Sequence, residues 1–445
     1  MSELPPPARG ASAQPADEVI GPDTGSIDAI PRAGGAVPDS GVAPVGRGFI
    51  AGYAAAYMAA VVLLISPLLV TLALKVNDLV GADQAPTSLS LVAGTGALVA
   101  MVGNPIFGQL SDRTTSSLGM RRPWLVVGLL GGAAGMLIVA LAPTVFVVVV
   151  GWCLTQLFLN GLLAALVAVL PDQVPMMQRG VVSGVLGICL PVASVCGTYL
   201  VKLFTGSLVA MFMAPFILGG AVILVFAARL HDRRLPRADK APWSLLEFTR
   251  TFYVAPRTNP DFAWAFASRF LFVLAYAFLT TYQVYFLLDR VGTADDDIPA
   301  QVFTATLIQS AMVISASLIA GRLSDRTHRR KMFVFAAAAV FALAMLVLAA
   351  VSSYSGFLVA LAISGIGLGA YVAVDLALVV EVLPDKQHAA KDLGVANIAG
   401  ALPYSIGPAV APALLAVGGY SALYTVAGSC ALLGAAAILA VKRVR

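Results

Sequence analysis

Residues 108–114 read GQLSDRT, and residues 321–327 repeat them as GRLSDRT at an offset of 213 residues. The tripeptide LPD at 170–172 recurs at 383–385, which is the same offset. Two separate matches at one offset predict a chain that contains two copies of one structural unit in the same order. The repeat therefore predicts two halves with the same topology.

The composition identifies the solvent in which these halves fold. The chain has 445 residues, of which 59% are hydrophobic and 11% are charged, and its mean hydropathy is +0.89. Soluble chains carry about 25% charged residues. The low charge excludes an ordinary soluble protein and predicts a chain that lies mostly in lipid. At about 20 apolar residues per span, the length allows many spans and only short loops.

Twelve apolar runs are long enough to cross a bilayer, six before a polar segment and six after it. They cover 49–75, 88–111, 124–142, 144–170, 180–201, 207–229, 261–288, 299–321, 332–351, 355–382, 392–417 and 419–441. We therefore predict an all-α polytopic membrane protein with twelve transmembrane helices in two six-helix bundles. The predicted domains are a disordered cytoplasmic tail at 1–48, bundles at 49–229 and 261–441, a cytoplasmic linker at 230–260 and a short cytoplasmic tail at 442–445.

The basic residues predict the orientation. Lys and Arg are retained in short cytoplasmic loops and depleted from translocated ones. With the N-terminus inside, all but four of the 28 Lys and Arg residues are cytoplasmic; Lys75, Lys202 and Arg290 lie outside and Arg269 lies within a span. Both termini are predicted to be cytoplasmic, in a multi-pass protein of the plasma membrane. The sequence pI near 9.0 follows from this sorting, so it does not require a nucleic-acid partner.

The repeated loop carries a resemblance to a known family. The pattern NPxFGxLSDRT at 104–114, followed by GxRRPW at 119–124, resembles the signature loop of the major facilitator superfamily and, in detail, its branch of glycoside-cation symporters and sucrose transporters. The resemblance covers all twelve spans. It implies two bundles that rock around a central site, with spans one, four, seven and ten lining the cavity. It also implies that the two loops act as cytoplasmic gates.

The predicted gate combines glycines with opposite charges. A glycine lets a neighbouring helix approach closely, and an Asp–Arg ion pair that forms in one state and breaks in the other biases a two-state equilibrium. The alternative is that the basic residues only set the orientation. The predicted gate residues are Gly108, Asp112, Arg113, Arg121, Arg122, Gly321, Asp325 and Arg326.

Three charged residues lie within spans, where charge is costly and suggests a function. At 1.5 Å per residue, Arg269 and Asp375 both lie about 12–13 Å from the cytoplasmic face, so we predict that they pair across the cavity. Their separation would let Asp375 take up a proton and would couple transport to protons; the alternative is a permanent structural ion pair. Glu381, nearer the interface, is predicted to be solvated or part of the gate.

Uncharged polar residues lie on single faces of the predicted helices. Trp152, Gln156 and Asn160 follow the spacing i, i+4, i+8. Amides pair with hydroxyl groups and aromatic rings pack on the apolar faces of sugars, which predicts a polyhydroxylated substrate; the alternative is hydrogen bonding between packed helices. The other predicted substrate-binding residues are Tyr276, Thr280, Gln283, Tyr371, Asn397 and Tyr404.

These features predict a secondary active transporter of a sugar or glycoside, in symport with protons. The alternatives are a proton-driven efflux antiporter for a drug or secondary metabolite and, more remotely, a membrane sensor or enzyme. An enzyme is not expected, because the spans contain no concentrated set of His, Ser or metal ligands. The predicted partners are a small-molecule substrate, protons and the lipid bilayer, with no nucleic acid, cofactor or metal, and the chain is expected to be a monomer.

Overall fold

The structure, a computed structural model, describes residues 44–235, 259–382 and 389–442. Within these ranges the regular structure is entirely helical, which confirms the all-α class. Most of the predicted tail at 1–48, most of the linker at 230–260, the second LPD tripeptide and the last three residues lie outside the described residues. The first ten helices are α1 Arg47–Val80, α2 Ala85–Asp112, α3 Arg122–Leu141, α4 Val145–Gln173, α5 Met176–Leu203, α6 Leu208–Arg229, α7 Pro260–Val291, α8 Ile298–Thr327, α9 Arg330–Ala350 and α10 Tyr354–Glu381.

The last apolar segment makes two crossings. Val395–Leu439 is a 45-residue stretch, which would be about 68 Å long as one straight helix, more than twice the thickness of a hydrocarbon core. Gly418 and Gly419 leave the helical conformation, and Gly419 has a φ of 60°, which a glycine adopts without strain. We call residues 389–417 α11 and residues 420–439 α12. The eleven apolar segments of the described chain thus provide the twelve predicted crossings.

The two halves repeat their packing as well as their sequence. In the first half α2 and α3 both pack on α4, and in the second half α8 and α9 both pack on α10. The first helix of each half also contains a π-helical turn, at Pro67–Thr71 in α1 and at Phe286–Val291 in α7. A duplicated unit folds twice in the same way because each copy buries the same helix faces.

Close helix packing within each half depends on glycines. A Cβ added to Gly135 of α3 would lie 2.7 Å from the backbone nitrogen of Thr155 in α4, and one added to Gly369 of α10 would lie 2.3 Å from the carbonyl oxygen of Val313 in α8. In lipid, association between helices depends on this kind of close van der Waals contact. The glycines therefore set the distance between the helices.

The two halves contact each other at one end of the molecule. We call the end that carries residues 112–122 and 327–330 the loop end, and the opposite end the far end. At the far end the hydroxyls of Ser90 in α2 and Tyr282 in α7 are 2.6 Å apart, and the Tyr285 hydroxyl donates to the carbonyl of Ala73 at 3.1 Å. These polar contacts join α1 and α2 to α7.

A second contact at the far end joins α5 to α8. The rings of Tyr199 and Phe303 have centroids 5.4 Å apart, and the Lys202 ammonium lies 5.0 Å from the centroid of the Phe303 ring. A cation over an aromatic face is attracted by the ring quadrupole. The far end is therefore closed by contacts from both sides of the molecule.

We predict that Gly135→Val lowers the melting temperature of the purified protein, because its side chain would overlap the α4 backbone at a cost of about 1–3 kcal/mol. Scanning fluorimetry in detergent measures the shift. Gly184→Val is the matched control, since a Cβ on Gly184 would meet no atom within 4 Å. Equal melting temperatures for the two variants would contradict the packing account.

Candidate functional site: the cavity between the halves

A cavity of about 1050 Å³ lies between the two halves. Its wall comes from α1, α2, α4 and α5 of the first half and from α7 and α11 of the second. The resemblance to the family implied that span ten also lines the cavity, but no described α10 residue does so. The reason is packing: the Tyr371 ring of α10 lies flat against Phe272 of α7, with centroids 3.7 Å apart, so α7 covers this part of α10.

The cavity reaches the loop end and stops short of the far end. Gly108 and Asp112, in the last turns of α2, line its mouth, and 59% of the Asp112 side chain is exposed. Leu69 and Thr281 lie at the opposite limit, next to the far-end contacts of α1 and α7. In this conformation the site is open at the loop end and closed at the far end.

Seven of the nine predicted substrate-binding residues line this cavity. On α4 the predicted face is present: the Asn160 side-chain amide donates to the Gln156 carbonyl at 2.8 Å and lies 3.4 Å from the Gln156 side-chain oxygen. The Trp152 indole packs on Gly96 of α2, where an added Cβ would lie 2.3 Å from its ring nitrogen. The seven are Trp152, Gln156, Asn160, Tyr276, Thr280, Asn397 and Tyr404.

The other two predicted substrate-binding residues, Gln283 and Tyr371, do not line the cavity. The Gln283 side chain is 4% exposed, and its amide donates to the Leu69 carbonyl at 3.5 Å, within the far-end closure. Tyr371 is buried against Phe272. Both residues lie on the predicted polar faces, but the rotation of each helix turns them toward a neighbouring helix.

Sequence reasoning missed several polar residues of the wall. Tyr57 on α1, Asn104 on α2 and Ser194 on α5 all line the cavity. The sequence feature that could have indicated this wall is a row of short side chains on α2, which leaves room beside that helix. The row consists of positions 93, 97, 100, 104 and 108. These residues lie on one face of α2, but the sequence does not show that this face borders a cavity.

The structure brings Arg269 and Asp375 together. Nη1 of Arg269 in α7 lies 3.0 Å from Oδ2 of Asp375 in α10, and the two side chains are 20% and 11% exposed. Arg269 lines the cavity, while Asp375 lies behind it. Gly400 of α11 leaves space for the guanidinium, since an added Cβ would lie 3.4 Å from Nη2. Glu381 has a different partner, Arg330, at the loop end.

Three short contacts organise the first gate loop around one arginine. Nη1 of Arg121 lies 2.6 Å from Asp112, its Nε lies 2.7 Å from Asp172, and it also donates to the Ser111 hydroxyl at 2.8 Å. Burial alone would lower the pKa of Arg121, but the ion pairs with Asp172 and Asp112 raise it above the usual value. Arg121 thus joins the ends of α2 and α4, and Asp172 belongs to the LPD tripeptide that shares the repeat offset.

A third carboxylate, which sequence reasoning missed, fixes the start of α3. The Asp232 side chain, just beyond α6, accepts hydrogen bonds from the backbone nitrogens of Arg121 at 2.6 Å and Arg122 at 2.8 Å. These are otherwise unpaired donors at a helix N-terminus, where negative charge is favourable. Gly119, with a φ of 107°, leaves the space that Asp232 fills; an added Cβ would lie 2.3 Å from its oxygen.

The remaining predicted gate residues make fewer contacts in this conformation. A Cβ on Gly108 would meet no atom within 4 Å, and one on Gly321 would meet only Ala373, at 3.9 Å. Nη1 of Arg113 is buried without a hydrogen-bond partner among the described residues. Asp325 and Arg326 are exposed, and none of the ion pairs within the described ranges includes them. The predicted close approach at the glycines is absent because the loop end is open.

Comparisons with known proteins bear on the whole chain. The sequence matches the family described as Major Facilitator Superfamily over residues 48–294 and 298–445. No curated protein matches it. A crystal structure of a mutant of the nucleoside transporter NupG superposes with a TM-score of 0.69 at 15% identity, covering 88% of this chain and 99% of that one.

Two further solved structures are similar. The human organic anion transporter MFSD10 gives a TM-score of 0.64 at 16% identity, over 89% of this chain and 100% of that one. A bacterial homolog of the human lysosomal transporter Spinster, solved inward-facing and unoccupied, gives 0.59 at 14% identity, over 88% and 93%. At these identities the likeness establishes the fold.

We predict that Arg269→Gln destabilises the protein by about 3 kcal/mol, because it leaves the Asp375 carboxylate buried without its partner. The double variant Arg269→Gln with Asp375→Asn should recover most of this loss, since neither charge remains. Thermal unfolding in detergent measures both. A double variant that is as unstable as the sum of the single variants would show that the two side chains do not interact.

Proposed function

The chain belongs to the major facilitator superfamily, and on that premise we propose that it is a secondary active transporter of a small neutral polar solute, a sugar or glycoside, working by alternating access. The observation that carries the proposal is the cavity between the halves, whose charged lining residues are already paired. A solute site between two rocking bundles is the architecture of such transporters.

The pairing of charge argues for a neutral solute. Among the described residues that line the cavity, the charged ones are Asp112 and Arg269, and each has an opposite charge within 3.0 Å, Arg121 and Asp375 respectively. An organic anion would need a cation that is free to bind it. Amides, hydroxyls and aromatic rings remain available on the wall. These groups suit a sugar ring, or a nucleoside, which is also a neutral glycoside.

The Arg269–Asp375 pair is the proposed site of proton coupling. It joins α7, which lines the cavity, to α10, which lies behind, so a shift between these helices would separate the charges. A buried carboxylate without its counter-charge takes up a proton. Solute binding to Tyr276, on the same face of α7 as Arg269, would favour that shift and link solute to proton in symport. The proposal depends on a carboxylate because all three histidines lie outside the spans.

The proposed orientation places both termini in the cytoplasm of a plasma-membrane protein, on the basis of the basic loops. On this proposal the loop end is cytoplasmic, and the cavity in this conformation is open to the cytoplasm. In this proposal Arg121, with Asp112 and Asp172, and the second loop at 321–327 act as the cytoplasmic gate. Closure of this end requires the far-end contacts of α1, α2 and α5 to separate.

A proton-driven efflux antiporter for a drug or secondary metabolite is the second candidate. The observation that favours it is the apolar part of the wall, formed by Leu64, Ile65 and Leu68 of α1. Such a surface would bind the apolar portion of an amphipathic solute. The direction of solute movement under an imposed pH gradient separates export from import.

We predict that Asp375→Asn abolishes accumulation driven by a pH gradient in proteoliposomes while solute exchange without a gradient continues. The amide cannot carry the proton, and Asp375 is not among the residues that line the cavity. Asp296→Asn, at an exposed position before α8, should behave like the unmodified protein. Undiminished gradient-driven accumulation by Asp375→Asn would refute the coupling site.

We predict that Gln156→Ala and Asn160→Ala each weaken solute binding about tenfold, because each removes one hydrogen bond worth about 1–1.5 kcal/mol. A thermal-shift screen against sugars, glycosides, nucleosides and lipophilic drugs identifies the ligand, and titration measures the affinity. Gln173→Ala is the control, because Gln173 is on the same helix but donates to the His231 carbonyl at the loop end. If all three variants bind alike, the α4 amides only pack the helices.

A further inference from the structure

A second cavity, of about 650 Å³, lies on the outside of the first half, between α1 and α6 at the loop end. We call it the α1–α6 groove. It is separate from the central cavity and shares none of its lining residues. The residues from α1 are Gly48, Phe49, Gly52 and Ala55, those from α6 include Ala221, Val225 and Phe226, and Arg229 and His231 lie at the mouth.

The dimensions of the groove fit one leaflet of a bilayer. On α6 it extends from Arg229 back to Ala221, which is about 12 Å along the helix axis. Half of a hydrocarbon core is about 15 Å thick. Because Arg229 ends α6 and the chain beyond it is polar, the mouth lies at the water boundary and the groove continues toward the bilayer centre.

The groove is a fixed feature of the packing. An added Cβ on Gly48 would meet no atom within 4 Å, and one on Gly52 would lie 3.8 Å from the Phe226 ring. Beneath them Phe49, Tyr53 and Phe226 form an aromatic cluster, with ring centroids 5.8 to 6.2 Å apart. The small side chains create the space, and the aromatic rings provide a rigid floor.

Arginines at the mouth make no ion pair with any described residue. Arg229 and His231 line it and are exposed, and Arg47 precedes Gly48 at the start of α1. None of the four ion pairs within the described ranges includes Arg229 or Arg47. Arg229 also lies on the same face of α6 as Val225 and Ala221, at i, i+4 and i+8, so its guanidinium and the apolar groove are continuous.

We propose that the α1–α6 groove binds one anionic phospholipid from the leaflet at the loop end. The phosphate pairs with Arg229 and the charged groups beside it, as basic pockets between transmembrane helices pair with lipid headgroups. One acyl chain lies along Gly52 and Ala221 on the aromatic floor. A zwitterionic lipid fills the same groove without a net negative charge to match the mouth, so charge complementarity selects the anionic lipid.

Native mass spectrometry tests the proposal. The full chain is mixed in detergent with dioleoylphosphatidylglycerol or dioleoylphosphatidylcholine, and the bound lipids are counted after the detergent is released. We expect one phosphatidylglycerol to bind about tenfold more tightly than phosphatidylcholine, and Arg229→Gln to remove that preference. The matched control is Arg329→Gln, an exposed arginine at the loop end of the second half. Equal binding of the two lipids, or equal losses in both variants, would overturn the proposal in favour of non-specific surface charge.

A second variant tests the acyl-chain position independently of charge. Gly48→Leu places a side chain in the groove at a position where an added Cβ meets no atom within 4 Å, so we expect the protein to fold normally. We expect it to lose the tightly bound phosphatidylglycerol, while Gly184→Leu, at an exposed glycine on α5 with equal free space, retains it. Retention by Gly48→Leu, with an unchanged melting temperature, would show that the lipid binds elsewhere.

Discussion

Hydrocarbon gives a charged side chain only two favourable places, at water or beside an opposite charge, and this constraint organises the whole molecule. Deep in the spans, Arg269 of α7 meets Asp375 of α10. At the loop end, the buried Arg121 holds Asp112 and Asp172, which end α2 and α4. The same pairing leaves the central cavity without a free charge. The chemistry of the proposed solute and the position of the proposed proton site thus follow from one requirement.

The second organising feature is the difference between the two ends. At the far end, Ser90 meets Tyr282 and Tyr199 meets Phe303, so the halves are joined by polar and aromatic contacts. At the loop end, Gly108 has free space beside it and the cavity is open. Within each half, glycines such as Gly135 and Gly369 allow close contacts between helices of the same half. The proposed alternating access requires each half to move as a rigid body about the cavity.

Much of the fold and part of the candidate site could be predicted from the sequence, because hydropathy and residue spacing reflect the structure of each helix by itself. The repeat at 108–114 and 321–327 and the apolar runs predicted the helices, and equal depth along two helices predicted the pairing of Arg269 with Asp375. The predicted substrate contacts that are absent from the cavity wall depend on how one helix is rotated against its neighbour, which the sequence pattern does not specify. Gln283 and Tyr371 lie on polar faces, yet each is turned into a neighbour. The capping of α3 by Asp232 joins residues 111 positions apart, and no periodic pattern encodes it.

Paired distances at the two ends test alternating access most directly. With the four native cysteines replaced by serine, spin labels at Met177→Cys and Arg322→Cys report the loop end, and labels at Thr205→Cys and Asp295→Cys report the far end; all four positions are exposed. Distances are measured by electron double resonance in nanodiscs at acid and neutral pH, with and without the solute identified by screening. The account predicts changes of opposite sign, with the loop end shortening as the far end lengthens. Distances that stay fixed at both ends, or change with the same sign, would contradict it.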